Sequence, residues 1–326
     1  EETMDKQIKA LEDLITTEYS NITGIAINKN GQNIYEAYFN GYTPDDTTHI
    51  MSVTKSILSA LIGIAIDNNY IQSPDQKVLD FFHDYKPKRG EKTIQDVTIK
   101  NLLTMTAPYK YKSEPYTKVY SSPDWVQAAL DLLGGRAGIT GEFKYSTVGV
   151  QILSGILVNA TGMPIADFAA ERLFTPLGIK KPRNIVLHNK EEHFAFLKEC
   201  HPTGWVIDPK GVNTAGWGLC LSPRDMVKIG ELYRNGGVYD GKRLLSSAWI
   251  EESTREQSRW GEMPYGYLWW LLEIGGNHCY AAIGDAGNII LVNPRKALTV
   301  AITSCFILRQ VPIMELLTEQ IVPVFA

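Results

Sequence analysis

Strand-like patterning lies at the two ends of this chain, and that constrains the fold more than any other feature. Near the start, "ITGIAIN" and "QNIYEAYF" flank Asn30-Gly31, a two-residue signal for a β-hairpin. Near the end, "YGYLWWLLEI", "HCYAAIG", "NIILVNP" and "ALTVAITS" read as short antiparallel strands. Between them the pattern is mostly helical. "SPDWVQAALDLL" starts with Ser122 as a cap and Pro123 at the first helical position, and "PIADFAAERLF" and "SPRDMVKIGELYRNGG" follow in similar style. Residues 1–18 carry Ile8, Leu11, Leu14 and Ile15 on one stripe, and "VPIMELLTEQIV" makes a closing helix. The simplest solution is one sheet assembled from both chain ends. The expected class is therefore α+β: an antiparallel sheet flanked by N- and C-terminal helices, with an all-helical lobe inserted. The expected boundaries are 1–74 with 206–326 for the mixed domain and 75–205 for the lobe.

The chain's 326 residues exceed the usual size of a single core, in keeping with two lobes. Net charge is −4 and no run is strongly basic, so no nucleic-acid partner is expected. The best candidate for a membrane span, Ile57 to Ile66, is interrupted by Ser59 and Gly63 and ends at Asp67, so no transmembrane segment is expected. No apolar leader is expected within the chain either. Cys200, Cys220, Cys279 and Cys305 form no CxxC pair and read as free, mostly buried thiols. No histidine or cysteine grouping has metal spacing, and neither a metal nor a cofactor is expected. The sequence assigns neither a compartment nor an oligomeric state.

The stretch "HIMSVTKSILSALIGIAIDNNYI", His49 to Ile71, should form a long buried helix reaching about Asn69, at the place where the lobes meet. Ser52 and Lys55 stand three positions apart at its start, hence on one face. A serine hydroxyl is a poor nucleophile until a base takes its proton. A lysine can serve as that base only where its pKa falls well below about 10.4, and burial among apolar neighbours acts in that direction. Taken alone, the pair reads more readily as a helix cap followed by a solvated charge, because S-x-x-K is a frequent chance pattern.

Two further stretches bear on that choice. "EFKYSTVGVQILSGIL" carries Tyr145-Ser146-Thr147 before an apolar helix, and "YAAIGDAGNIILVNP" leads a strand into Ala282-Ile283-Gly284-Asp285. The order S-x-x-K, Y-S-x, A-x-G resembles the penicillin-recognising serine hydrolases: class C β-lactamases, DD-carboxypeptidases, and the esterases and nylon-oligomer amidases built on the same fold. "TIKNLLTMTAPY", "GMPIADFAAERLFTPLGI", "NTAGWGLCLSPRDMVKIGELYRNGGVYDGKRLLSSAWI" and "YGYLWW" extend the resemblance over nearly the whole chain.

The resemblance implies a mixed α/β domain with a helical insert and an acyl-enzyme mechanism on a small ester or amide. Ser52 would be the nucleophile, Lys55 its proton partner and Tyr145 the acid/base. A tyrosine near pKa 10 needs a cation beside it to work near neutral pH, and Lys55 is the natural one. The backbone N–H groups of Ser52 and of Asp285, just after Gly284, would form the oxyanion hole. Tyr111, Trp217, Ala282 and Gly284 are the expected substrate-side residues, with Trp217 narrowing the cleft. Trp260 and Tyr265 read as packing aromatics. Thr147 stands where β-lactamases usually have asparagine, and Ala282 where they have lysine. Both departures remove support for the base and for a substrate carboxylate, which argues against efficient β-lactam or D-Ala-D-Ala chemistry. β-Lactamase or peptidase activity, and a non-catalytic binding or sensor module, are the competing readings.

Overall fold

Asn30 and Gly31 both take left-handed backbone, φ +52° and +78°, which asparagine and glycine tolerate best. They join β1 (Ile22–Lys29) to β2 (Gln32–Tyr38). The computed structural model describes residues 2–326. Six more strands come from the far end of the chain: β3 (Ser258–Trp260), β4 (Met263–Tyr265), β5 (Trp270–Ile274), β6 (Asn277–Gly284), β7 (Asn288–Asn293) and β8 (Leu298–Ser304). All eight form one sheet in the order β2-β1-β8-β7-β6-β5-β4-β3. Every pairing in it is antiparallel. The chain ends meet where β1 pairs with β8, with Ile25 opposite Ile302 and Ala26 opposite Ala301.

The sheet is covered on both faces, so its central strands are apolar at consecutive positions rather than alternate ones. In β7, Ile289 and Leu291 join Leu11 and Ile15 of α1 (Glu2–Glu18) and Leu316 and Ile321 of the C-terminal helix. That helix runs over 313–325 and is wound as a π-helix at Leu316–Ile321. Ile290 and Val292 face the other way, into the cluster that holds α2 (Val53–Asp67). α2 is buried without a break from Val53 to Ala65. It lies between the sheet strands β6 and β7 and the mid-chain helix α3 (Gln151–Thr161), which explains its apolar surface on all sides. No single helix among the described residues is long and apolar enough to cross a membrane. The helix α4 (Pro223–Arg234) starts with the expected cap: Ser222 and Asp225 exchange side-chain and backbone hydrogen bonds.

The structure corrects three local expectations. The helix Trp125–Leu130 is capped by Asp124, whose carboxylate accepts from the Gln127 N–H at 3.0 Å; Ser122 instead donates to the Val119 carbonyl. "YGYLWWLLEI" is not one strand, because Leu268 takes left-handed backbone (φ +64°) and its N–H donates to the Leu103 carbonyl. The middle of the chain is not all helical, since Asn184–Val186 pairs in parallel with Trp205–Ile207. The four cysteines are free, with Cys220 and Cys279 buried and Cys200 exposed.

Candidate active site

The segment entering α2 is held from both sides. Thr48-His49 pairs with Cys220-Leu221, and the Ile50 N–H donates to the Leu219 carbonyl. His49 Nε2 accepts from the Gly218 N–H at 2.8 Å, and burial lowers its pKa to about 3. Met51 then adopts φ +54°, a left-handed conformation that costs a non-glycine residue on the order of 1 kcal/mol. This bend delivers Ser52 to the helix start with φ −68° and ψ −8°. Ser52 occupies the cap position, yet its side chain makes no capping bond. Its N–H finds no acceptor among the described residues, as is common at a helix start. The hydroxyl turns instead to Lys55, with Oγ 2.9 Å from Nζ.

Lys55 is not solvated. It is 2% exposed, and its amine also donates to the Thr147 hydroxyl at 3.0 Å and the Gly216 carbonyl at 2.9 Å. A carbonyl can only accept, so it fixes one N–H, and Thr147 suits a second. The remaining tetrahedral direction points at Ser52 Oγ. As an ammonium, Lys55 donates along it; as a free amine, its lone pair can receive the serine proton there. Thr147 thus supports Lys55 although it replaces the usual asparagine.

Tyr145 lies on the other side of Lys55, which sits 4.8 Å from the ring centroid. Trp270 stacks on the same ring at 6.0 Å and 21°. No hydrogen bond joins the Tyr145 hydroxyl to Ser52 among the described residues. Glu114, which sequence reading missed, anchors this segment. Its carboxylate accepts from the N–H groups of Thr147 and Val148 at 3.0–3.1 Å, ahead of α3. The Tyr111 hydroxyl pairs with Ser146 Oγ at 2.6 Å, and Lys144 sits over the Tyr111 ring.

Gly284, at the end of β6, comes against the start of α2. A Cβ there would lie 2.5 Å from the Ile50 carbonyl oxygen and 2.9 Å from the Ser52 nitrogen. Only glycine allows so close an approach. The next residue, Asp285, is exposed and begins a tight turn in which Ala286 takes φ +68°. Ser52, Gly284 and Asp285 therefore share one wall of a cavity of about 610 Å³.

The same cavity is lined by Tyr145, Thr147, Tyr116, Phe143, Trp260 and Trp270. Three expected substrate-side residues do not line it. Tyr111 packs behind the Tyr145-Ser146-Thr147 segment against Tyr109. Trp217 joins an aromatic cluster with Trp125, Tyr120 and His49. Ala282 is 1% exposed and points into the α2 core, while its neighbour Ile283 reaches the cavity. In their place stand Tyr116 and Trp260, 50% and 62% exposed. Tyr265 packs as expected, fully buried against Trp270. Among the described residues, Asp285 is the one charged residue on the cavity wall. Among the described residues no cluster of side chains is arranged to hold a metal ion.

Most of the chain is similar to known proteins. A 6-aminohexanoate-dimer hydrolase of Paenarthrobacter ureafaciens is 25% identical over 288 residues, covering 80% of this chain and 66% of that protein. The chain thus spans just under two thirds of the length of that relative. The class C beta-lactamase of Rhodobacter sphaeroides superposes with a TM-score of 0.67 at 16% identity, over 94% of each chain. EstCE1, a hydrolase with promiscuous acyltransferase activity, superposes with a TM-score of 0.72 at 14% identity, over 100% of this chain and 99% of its own. At such identities these two likenesses speak to the fold alone, which is that of the β-lactamases. The Beta-lactamase family matches residues 14–305, nearly the whole chain, and the chain belongs to that family.

Proposed function

We propose that the chain is a serine hydrolase that works through an acyl-enzyme on a small ester or amide. The observation that carries this reading is the buried Lys55 amine held on the Ser52 hydroxyl by Thr147 and the Gly216 carbonyl. In the first step Ser52 Oγ attacks the substrate carbonyl carbon while its proton passes to the Lys55–Tyr145 pair. The carbonyl oxygen takes up negative charge beside the Ser52 and Asp285 N–H groups. The C–O or C–N bond then breaks, and Tyr145 returns the proton to the leaving group. Water attacks the acyl-serine in the second half, releasing the acid and restoring the Ser52 proton.

An ester or amide is favoured over a β-lactam by what surrounds Ser52. Ala282 supplies no cation at the usual lysine position, and no lysine or arginine is among the described residues that line the cavity, the Lys55 amine being taken up by Ser52, Thr147 and Gly216. A penicillin carboxylate would lose its hydration there without an ionic partner. The test compares p-nitrophenyl acetate and butyrate with a chromogenic cephalosporin, using the wild type and Ser52→Ala. Ester hydrolysis that disappears in Ser52→Ala is expected. Hydrolysis unchanged in that variant sinks the mechanism, and fast cephalosporin turnover sinks the substrate assignment.

A further inference from the structure

The walls of the cavity above Ser52 suit a cation. Five of the lining side chains are aromatic: Tyr116, Phe143, Tyr145, Trp260 and Trp270. Four of them form one continuous surface, with Trp270 meeting Tyr145, Phe143 and Trp260 at centroid distances of 6.0, 6.1 and 6.3 Å. Trp260 leaves 62% of its surface in solvent. Asp285 stands on the same wall and forms no ion pair among the described residues.

An aromatic face is negative at its centre and attracts a cation within about 6 Å, tryptophan most strongly. A carboxylate with no counter-ion beside such a surface adds a second attraction of the same sign. An anionic substrate finds no lysine or arginine among the described residues of the wall, because Lys55 lies behind Ser52 with its amine taken up by Ser52, Thr147 and the Gly216 carbonyl. We infer that this cavity selects esters or amides that carry an ammonium group, held against Trp260 and Trp270 and beside the Asp285 carboxylate. This inference rests on the acyl-enzyme reading of Ser52 and adds the charge of the substrate to it.

The test uses isosteric pairs. kcat/KM is measured for butyrylthiocholine and for its uncharged analogue 3,3-dimethylbutyl thiobutyrate, at low salt and at about 0.5 M salt. The cationic ester is expected to lead by about tenfold at low salt, and high salt should shrink the lead several-fold by screening. Asp285→Asn and Trp260→Ala should each move the ratio toward one, whatever they do to the absolute rates. Binding gives a reading independent of turnover: tryptophan fluorescence titrated with choline and with 3,3-dimethylbutanol, in wild type and Ser52→Ala, should show the same preference in both. Equal binding and equal turnover of the two isosteres, or a preference untouched by Asp285→Asn, overturns the inference. Hydrolysis of neutral esters alongside that result leaves the acyl-enzyme reading standing. Choline binding without acylation of Ser52 by any ester has the reverse meaning: the cation site holds and the mechanism fails.

Discussion

Replacing Gly284 with alanine should cripple catalysis while leaving the fold recognisable. The backbone itself permits the change, since Gly284 has φ −128° and ψ +155°, ordinary extended values. The whole effect comes from what the new Cβ meets: the Ile50 carbonyl oxygen at 2.5 Å, the Ser52 nitrogen at 2.9 Å and the Met51 Cβ at 3.0 Å. Two of these are main-chain atoms and cannot rotate away. β6 must therefore withdraw from the start of α2 by several tenths of an ångström, widening the space between the Ser52 and Asp285 N–H groups. Loss of one oxyanion donor costs about 10²- to 10³-fold in kcat, or ~2.7–4 kcal/mol. The overpacking itself should cost stability of about 1–3 kcal/mol. Steady-state hydrolysis of p-nitrophenyl butyrate reads the first effect and denaturant unfolding the second. A variant that keeps kcat within about threefold of wild type, with stability lowered as expected, would show that these N–H groups do not hold the carbonyl oxygen.

Three other outcomes follow from the geometry. Thr147→Val removes an acceptor from a buried lysine, an interaction worth about 1–3 kcal/mol; acylation should slow roughly ten- to a hundredfold, and Thr147→Ser should recover most of it, whereas a valine variant as fast as wild type contradicts the role. His49 is held neutral down to about pH 3, whereas in the unfolded chain it protonates near 6.5. The unfolded state therefore gains a proton that the native state does not, and stability falls as pH drops through this window, by about 2 kcal/mol between pH 6.5 and 5; denaturant titrations should show that this share of the slope is missing in His49→Gln. Gly63→Ala, on α2, would drive a methyl group into the Trp249 indole and should destabilise by about 1–3 kcal/mol, with a wild-type midpoint as the contrary result.

Much of this could be read from residue patterns alone. The Asn30-Gly31 hairpin, the sheet closed from both chain ends, the buried α2 and the Ser222 cap all follow from short-range chemistry. The proximity of Ser52 and Lys55 follows from helical spacing. What escaped reading depends on which way a side chain turns once distant segments meet. Ala282 and Ile283 point to opposite faces of β6, and which of them reaches the cavity is settled by register. Tyr111 and Tyr116 are equally plausible loop tyrosines until Ser146 claims the Tyr111 hydroxyl and leaves Tyr116 on the cavity wall. Trp217 would have narrowed the cleft had Trp125 and Tyr120 not drawn it into their cluster. Glu114 carries no sequence signal at all, since its partners are two backbone N–H groups some thirty positions away. Thr147 is the instructive departure: judged by identity it lacks the usual amide, yet its hydroxyl still reaches Lys55.

The central claim is that Ser52 is the residue acylated, and it can be measured directly. The protein is incubated with a fluorophosphonate, its intact mass recorded, and the modified peptide sequenced by tandem mass spectrometry. The account predicts a single adduct, on Ser52, formed at a rate that falls sharply in Lys55→Met. An adduct on another serine, or none under conditions where the protein hydrolyses esters, would contradict it.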